Sequence, residues 1–260
     1  MNPVSKQISK GLVKWSKIAH VSNLSKKYKL PRIIFGSQKR AIIISTGLHL
    51  EETSGPLTLL DPAKLKWLLE FAKKNKFTIV LYPIINNRGL SYLPTADEKF
   101  LRTNDKGVDY NDCWGIKEVT GEVRIVSRDI KKIIKKYDVV CALSLHEDSA
   151  LPKKGYIWTN GVAKKLREQI CKLIKSNILK KYILEIGQKT FEGGKVENRF
   201  CVVNARDYGS FEVWMAELNN IPTVLSEAPF GEKLAIRSKF HMEVIKATLI
   251  CYTTPFVSYF

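Results

Sequence analysis

Short apolar runs alternate with longer amphipathic segments along most of this 260-residue chain. The run FTIVLY at Phe77–Tyr82 is typical of a buried strand. The segment before it, Asp61–Asn75, begins with a capping Asp and a Pro and then places apolar residues at helical spacing. Strands that alternate with helices of roughly 10–20 residues predict an α/β fold. We therefore expect a central mixed, mostly parallel sheet with helices on both faces.

The same patterns locate the other elements of the fold. Two strands, Arg32–Gly36 and Arg40–Thr46, are predicted to form a hairpin around a Ser-Gln-Lys turn. The remaining predicted strands are Val139–Leu145 and Ile221–Leu225, and the remaining predicted helices are Asp129–Tyr137, Val162–Ile178 and Glu232–Tyr252. Leu12, Trp15 and Ile18 indicate a short amphipathic helix near the N-terminus. Because the chain has no repeat and no flexible linker, we predict one domain over residues 1–260, with residues 1–30 as a basic extension that packs on it or leads into it.

The composition excludes several classes of protein. With 45% apolar residues the chain is not disordered, and it has no run of about 18 apolar residues that would span a membrane. Lys and Arg exceed Asp and Glu by 43 to 25, a net charge of +18. The lysines are scattered along the whole chain, which favours a diffuse basic surface over a specific nucleic-acid site. The N-terminal segment lacks the apolar core of a signal peptide, so we expect a cytoplasmic protein.

Histidine and glutamate follow two of the predicted strands. His49 and Glu52 come just after the strand that ends at Thr46, and His146 follows the strand that ends at Leu145. Sites in open α/β sheets form outside the carboxyl ends of the strands. Two histidines and one glutamate, with a fourth position for water, are the ligands of a catalytic zinc ion. The alternative is that both histidines are satisfied side chains of a loop or the core.

A long irregular stretch, Asn86–Thr120, carries further polar motifs, and loops of this length are usually functional. In chain order the sequence contains HLEE at 49–52, NNRG at 86–89, RTN at 102–104, GVDYN at 107–111, His146 and PTVLSEAP at 222–229. This order resembles that of the zinc carboxypeptidase family, the carboxypeptidase A-like metallopeptidases. The resemblance covers residues 41 to 250, nearly the whole chain.

The resemblance implies a metal centre with one Zn²⁺ per chain. His49, Glu52 and His146 would be the metal ligands, and a water molecule activated by the metal would attack the substrate. Asp109 would accept a hydrogen bond from a zinc-binding histidine and so orient its ring.

The resemblance also implies two catalytic residues. Glu227 would be the general base that deprotonates the water and then the acid that protonates the leaving amine. Arg102 would stabilise the oxyanion that forms from the scissile carbonyl. Each has an ordinary alternative: Arg102 would pair with Asp97 or Asp105, and Glu227 with Lys233.

The substrate-binding part of the motif departs from the family pattern. Asn111 would hold a polar part of the substrate, but Asp112 stands where the family has an arginine that clamps the terminal carboxylate of the substrate. Either another cation takes over this clamp, for which Arg88, Arg124, Arg206 or a lysine are candidates, or the substrate has no free carboxyl terminus there. An acidic residue favours an amine-bearing substrate, such as a diaminopimelate-containing peptidoglycan fragment.

Tyr208 lies near the position of a tyrosine that many family members carry on a mobile loop. Gly209, Ser210 and Trp214 resemble the family's G-S-x-D-W segment, but Tyr208 is several residues closer to it than the pattern requires. Tyr208 therefore either lines the substrate pocket or is a turn residue that packs on Trp214.

Residues 146–158 are more similar to compact bacterial relatives than to digestive carboxypeptidases. These relatives include the succinylglutamate desuccinylase/aspartoacylase branch and murein-peptide amidases. The sequence therefore predicts a zinc-dependent hydrolase of a peptide or peptide-like amide. Two alternatives remain: a deacylase of small N-acyl amino acids, and a non-catalytic basic binding protein on a hydrolase scaffold.

Overall fold

The computed structural model describes residues 3–17, 19–88, 101–104, 106–116, 121–190, 194, 196–198, 200–203 and 209–253. These residues form one sheet with helices on both of its faces. The predicted α/β fold with a mixed sheet is therefore confirmed.

The sheet has nine strands in the described part of the chain. They are β1 (His20–Asn23), β2 (Pro31–Phe35), β3 (Arg40–Thr46), β4 (Thr78–Tyr82), β5 (Asp138–Asp148), β6 (Tyr156–Asn160), β7 (Val196–Asn198), β8 (Cys201–Val203) and β9 (Thr223–Pro229). Their order across the sheet is β1-β2-β4-β3-β5-β9-β6-β8-β7. The four central strands, β4, β3, β5 and β9, are parallel to one another, so their carboxyl ends meet at one edge.

The helices divide between the two faces of the sheet. They are α1 (Pro3–Ser16), α2 (Ser54–Leu59), α3 (Pro62–Lys74), α4 (Gly121–Lys136), α5 (Lys164–Asn177), α6 (Phe211–Asn219) and α7 (Leu234–Thr253). One apolar cluster joins α1, α2, α3, α5 and α7 to the sheet, and a second joins α4 and α6 to its opposite face. No helix in the described part of the chain combines the length and the apolar character needed to span a bilayer.

The predicted hairpin of the second and third strands is wrong. Strand β2 pairs antiparallel with β1 and β4, whereas β3 pairs parallel with β4 and β5. The apolar side chains of β3, Ile42, Ile43 and Ile44, lie alternately on the two faces, and all are fully buried. Such a strand is stable only in the interior of a sheet with both faces covered. Strand β4 is equally apolar, and it takes the position between β2 and β3.

The elements near the site are longer than the sequence predicts. Strand β5 continues to Asp148 and β9 to Pro229, so that His146 and Glu227 lie within strands. Helix α4 begins at Gly121 rather than at residue 129, because its apolar face extends to Val123 and Val126.

Helix α3 has the predicted bounds within one residue, and the Asp61 side chain accepts hydrogen bonds from two first-turn N–H groups. Elements that the sequence patterns did not indicate are β1, α2, β6, β7, β8 and α6.

Candidate active site

The loop after β3 brings His49 and Glu52 to the carboxyl edge of the sheet. Gly47 begins this loop with φ of 67°, a conformation that glycine adopts without strain. Its carbonyl oxygen accepts hydrogen bonds from the N–H groups of Ile85 and Asn86, which follow the neighbouring strand β4. The loop that carries His49 is therefore fixed to the exit of β4.

His146 and Glu227 reach the same edge from neighbouring parallel strands. In the register of β5 and β9, His146 lies directly opposite Glu227, so the two side chains are on the same face of the sheet. Both residues are buried, with 2% and 3% of their surface exposed. A carboxylate is thus held beside the histidine by the sheet itself.

The two histidines hold Glu52 between them. Nδ1 of His49 lies 2.7 Å from Oε1 of Glu52, and Nδ1 of His146 lies 2.9 Å from Oε2. One potential ligand atom from each of the three buried side chains lies within 4.8 Å of the other two. This set of two imidazole nitrogens and one carboxylate is the donor set of a catalytic zinc ion, and its compact arrangement fits a single metal ion.

The second ring nitrogen of His49 has its own partner. Nε2 lies 2.8 Å from Oδ1 of Asp109, which also accepts a 2.7 Å hydrogen bond from the N–H group of Asn111. With Nε2 engaged in this way, Nδ1 is the nitrogen that remains for a metal ion. Asp109 is thus a direct hydrogen-bond partner of His49.

The loop around Asp109 is organised by Asn104. Its side-chain oxygen accepts hydrogen bonds from the N–H groups of Lys106 and Val108, and its own N–H group donates to the Val108 carbonyl. A β-bridge between Thr103 and Asp109 then brings Asp109 next to Arg102. The short loop between the RTN and GVDYN segments thus places Asp109 beside Arg102.

Glu147, a second buried acid, contacts Glu52 through its backbone. The N–H group of Glu147 donates to Oε2 of Glu52 at 3.2 Å, and the carboxylate of Glu147 accepts a 2.7 Å hydrogen bond from the N–H group of Ser54. Glu147 also forms an ion pair with Arg237 of α7. Burial raises the pKa of Glu147, although the charge of Arg237 and the hydrogen bond from Ser54 oppose this effect.

Arg102 contacts three carboxylates at this cluster. Its nearest partner is Glu51, with 2.5 Å between Nη1 and Oε1. Asp109 and Glu52 lie farther from its guanidinium, at 3.4 Å and 3.5 Å. Glu51 precedes Glu52 in the HLEE motif, and only the structure reveals its contact with Arg102. The Asp97 and Asp105 partners considered for Arg102 lie outside the described residues.

The electrostatics of the cluster are those of a cation site. Burial lowers the pKa of His49, but the charge of Glu52 and the hydrogen bonds to Asp109 and Glu52 outweigh it and raise the pKa to about 10. Burial raises the pKa of Asp109, but the hydrogen bond and charge of His49 bring it down to about 2. The carboxylates of Glu52 and Asp109 thus stay ionised and stabilise positive charge between them.

Of the residues assigned to substrate binding, Asn111 and Asp112 belong to the described part of the chain. Asn111 is buried, and its side-chain oxygen has no hydrogen-bond partner among the described residues. Asp112 follows it on the exposed side of the same short 3-10 helix, Tyr110–Asp112. Arg88 is partly buried, and Arg124 is exposed on α4. Tyr208 and Arg206 lie outside the described residues.

The chain is similar to several solved structures of metallopeptidases. A candidate metallopeptidase from Shewanella amazonensis superposes with a TM-score of 0.72 and 18% identity, over 95% of this chain and 91% of that one. A metallo-carboxypeptidase from Burkholderia cenocepacia gives a TM-score of 0.67 and 14% identity, over 94% of this chain and 68% of that one. Carboxypeptidase A from Helicoverpa armigera gives 0.60 and 12%, over 95% and 71%. No family model and no curated protein matches the sequence.

The fold is thus that of the metallo-carboxypeptidases, as the resemblance in the sequence predicted. At the carboxyl edge of its central strands this fold presents a buried His-Glu-His cluster. The described residues thus combine the fold of the metallo-carboxypeptidases with a candidate metal centre.

Proposed function

We propose that this protein is a zinc-dependent hydrolase of the carboxypeptidase type that cleaves a peptide or peptide-like amide bond. The observation that carries the proposal is the buried cluster of His49, Glu52 and His146, whose ligand atoms lie within 4.8 Å of one another beside Glu227. A bound zinc ion would supply Lewis-acid activation of water and of the scissile carbonyl. The site offers two imidazoles and a carboxylate, and these are ligands that zinc prefers in catalytic sites.

In the proposed reaction Glu227 moves the proton. Its carboxylate takes a proton from the attacking water and delivers it to the leaving nitrogen, which can depart only as a neutral amine. The register of β5 and β9 holds this carboxylate beside His146, so the base lies next to the metal ligands. Arg102, whose side chain is 41% exposed, stabilises the oxyanion with its N–H groups. Asn111 offers its amide to the polar backbone of the substrate.

The substitution Glu227→Gln tests this mechanism. Glutamine keeps the shape of the side chain but does not accept the proton, so we expect turnover to fall by roughly 10²–10⁴-fold. Stoichiometric zinc, measured by atomic emission, should remain bound to the variant. Full activity of the variant would exclude Glu227 as the base, and a wild-type protein that binds no zinc and is insensitive to chelators would support a non-catalytic binding protein.

A proposal for the substrate class rests on Asp112. We propose that the leaving group is an amino acid or peptide with an additional amine, as in a peptidoglycan fragment, because the exposed Asp112 would repel a carboxylate and attract an amine. The kinetic constants of wild type and Asp112→Asn should be compared on peptides with and without this amine. An unchanged ratio of kcat/KM would contradict the proposed role of Asp112.

The same assays distinguish the alternative functions. A deacylase would hydrolyse N-acyl amino acids and leave a panel of peptides intact. A polyanion-binding protein would bind nucleic acid with an affinity that falls steeply as salt concentration rises.

We further propose that the protein acts in the cytoplasm on peptide substrates and as a single domain over residues 1–260.

A further inference from the structure

Glu51 is placed beside Arg102 by the backbone. The N–H group of Leu50 donates a 3.0 Å hydrogen bond to the carbonyl oxygen of Leu101, and this bond joins the segment that carries Glu51 to the segment that carries Arg102. The following residues of both segments then meet, with 2.5 Å between Oε1 of Glu51 and Nη1 of Arg102. The backbone hydrogen bond between the two loops therefore holds the two side chains within reach of each other.

The other carboxylates near Arg102 have different partners. The oxygens of Glu52 face the Nδ1 atoms of His49 and His146. Asp109 uses Oδ1 for His49 and for its own loop, and its Oδ2 lies 3.4 Å from Nε of Arg102. Oε1 of Glu51 lies 2.5 Å from Nη1 of Arg102, whereas its Oε2 has no hydrogen-bond partner among the described residues. Of the three carboxylates near Arg102, Glu51 thus makes the shortest contact with the guanidinium and makes none with the two histidines among the described residues.

A residue that holds Arg102 matters because the guanidinium is only partly enclosed. Its side chain is 41% exposed, and a long arginine side chain left free in solvent samples many rotamers. A charge-assisted hydrogen bond to a carboxylate removes this freedom and fixes the direction of the remaining N–H groups. A displacement of about 1 Å in a catalytic group can reduce turnover by roughly 10²-fold.

We propose that Glu51 is a positioning residue that orients Arg102 toward the scissile carbonyl. This inference rests on the proposed function, since it assigns to Glu51 a task in the same reaction. It predicts that loss of the Glu51 charge impairs the chemical step while metal binding and substrate affinity are preserved.

The first test compares Glu51→Gln with wild type. We expect kcat to fall by roughly 10–100-fold, KM to change by less than about threefold, and zinc content to stay the same. Glu51→Asp, which keeps the charge, should recover part of kcat. The matched control is Glu70→Gln, which neutralises an exposed glutamate that pairs with Lys66 on α3 and should retain wild-type kinetics. An unchanged kcat in Glu51→Gln would overturn the proposal.

The second test asks whether Glu51 acts through Arg102. In an Arg102→Met background the additional Glu51→Gln change should reduce kcat by less than twofold, because its target is already absent. A full additional loss would mean that Glu51 acts in some other way and would overturn the proposal. If wild type shows no metal-dependent hydrolysis at all, the proposed function fails together with this inference, whereas active wild type with an equally active Glu51→Gln variant refutes the inference alone.

A measurement without substrate completes the test. The side-chain N–H resonances of Arg102, assigned by their loss in Arg102→Met, should show slow rotation of the guanidinium in wild type. In Glu51→Gln this rotation should become fast, as in exposed arginines. Fast rotation already in wild type would contradict the positioning role.

Discussion

The Oδ1 atom of Asp109 lies 2.8 Å from Nε2 of His49, on the side of the ring opposite to Glu52. This contact decides which nitrogen of His49 faces the candidate metal position. The two residues are brought together by the β-bridge between Thr103 and Asp109 and by the loop after β3. A carboxylate from one loop thus contacts a candidate metal ligand in another.

Replacement of Asp109 by asparagine should weaken metal binding. The amide is uncharged and no longer fixes the tautomer of His49, and loss of such a partner typically costs 10–100-fold in metal affinity. Competition with a chromophoric chelator measures the effect. Asp112→Asn is the matched control, since Asp112 is an exposed acid of the same loop and should leave the affinity unchanged. Equal affinities of Asp109→Asn and wild type would contradict the assigned role.

The ion pair of Glu147 and Arg237 should contribute strongly to stability. The side chain of Glu147 has 0% exposure, so Arg237→Met leaves a buried carboxylate without its cation. We expect the free energy of unfolding to fall by about 3–5 kcal/mol, measured by urea denaturation. Lys66→Met, which removes an exposed ion pair with Glu70, should change it by less than about 1 kcal/mol. A double variant, Arg237→Met with Glu147→Gln, should recover part of the loss.

The metal-binding and catalytic candidates were accessible from the sequence because each lies at the end of an apolar strand. His49, Glu52, His146 and Glu227 follow runs whose burial is readable from composition, and parallel strands bring their ends to one edge. The structure brings these four residues together, and Asp109 and Arg102 join them. The residues that the resemblance assigns to the metal centre and to catalysis are thus close in space.

Contacts between distant segments were not accessible in this way. Glu147 and Arg237 are separated by 90 positions in the chain, and Glu51 and Arg102 by 51. Neither pair has a local pattern, because each depends on how a helix or a loop packs on the sheet. The incorrect hairpin has the same origin: two neighbouring apolar strands carry no signal that a third strand, β4, will lie between them.

The N-terminal helix should be an integral part of the fold. Trp15 of α1 is fully buried, stacks on Phe35 with 5.5 Å between ring centroids, and donates a 2.9 Å hydrogen bond from Nε1 to the Leu59 carbonyl. Trp15→Ala should therefore lower the free energy of unfolding by roughly 3–5 kcal/mol, as monitored by far-ultraviolet circular dichroism. Val13→Ala, at a position that is 60% exposed on the same helix, is the control and should have little effect. A small effect at Trp15 would mean that residues 1–30 only lead into the domain.

His241 should make the protein less stable in mild acid. It is fully buried on α7, where Nδ1 lies 2.9 Å from Oγ of Ser226. Burial lowers its pKa to about 3, the positive charges of His146, Arg237 and Lys64 act in the same direction, and Glu52 opposes them. An unfolded histidine titrates near 6.5, so between about pH 6.5 and pH 3 the unfolded chain binds a proton that the native protein does not. The free energy of unfolding should consequently decrease as the pH falls through this range, by up to about 1.4 kcal/mol per pH unit.

Glutamine at position 241 tests this pH dependence, because it is polar but does not titrate. With chelator present, the difference in unfolding free energy between pH 7 and pH 5 should be smaller in His241→Gln than in wild type by about 2 kcal/mol. The control is His20→Gln, which removes an exposed histidine of β1 and should leave the difference unchanged. If both variants retain the wild-type difference, His241 does not govern the acid sensitivity.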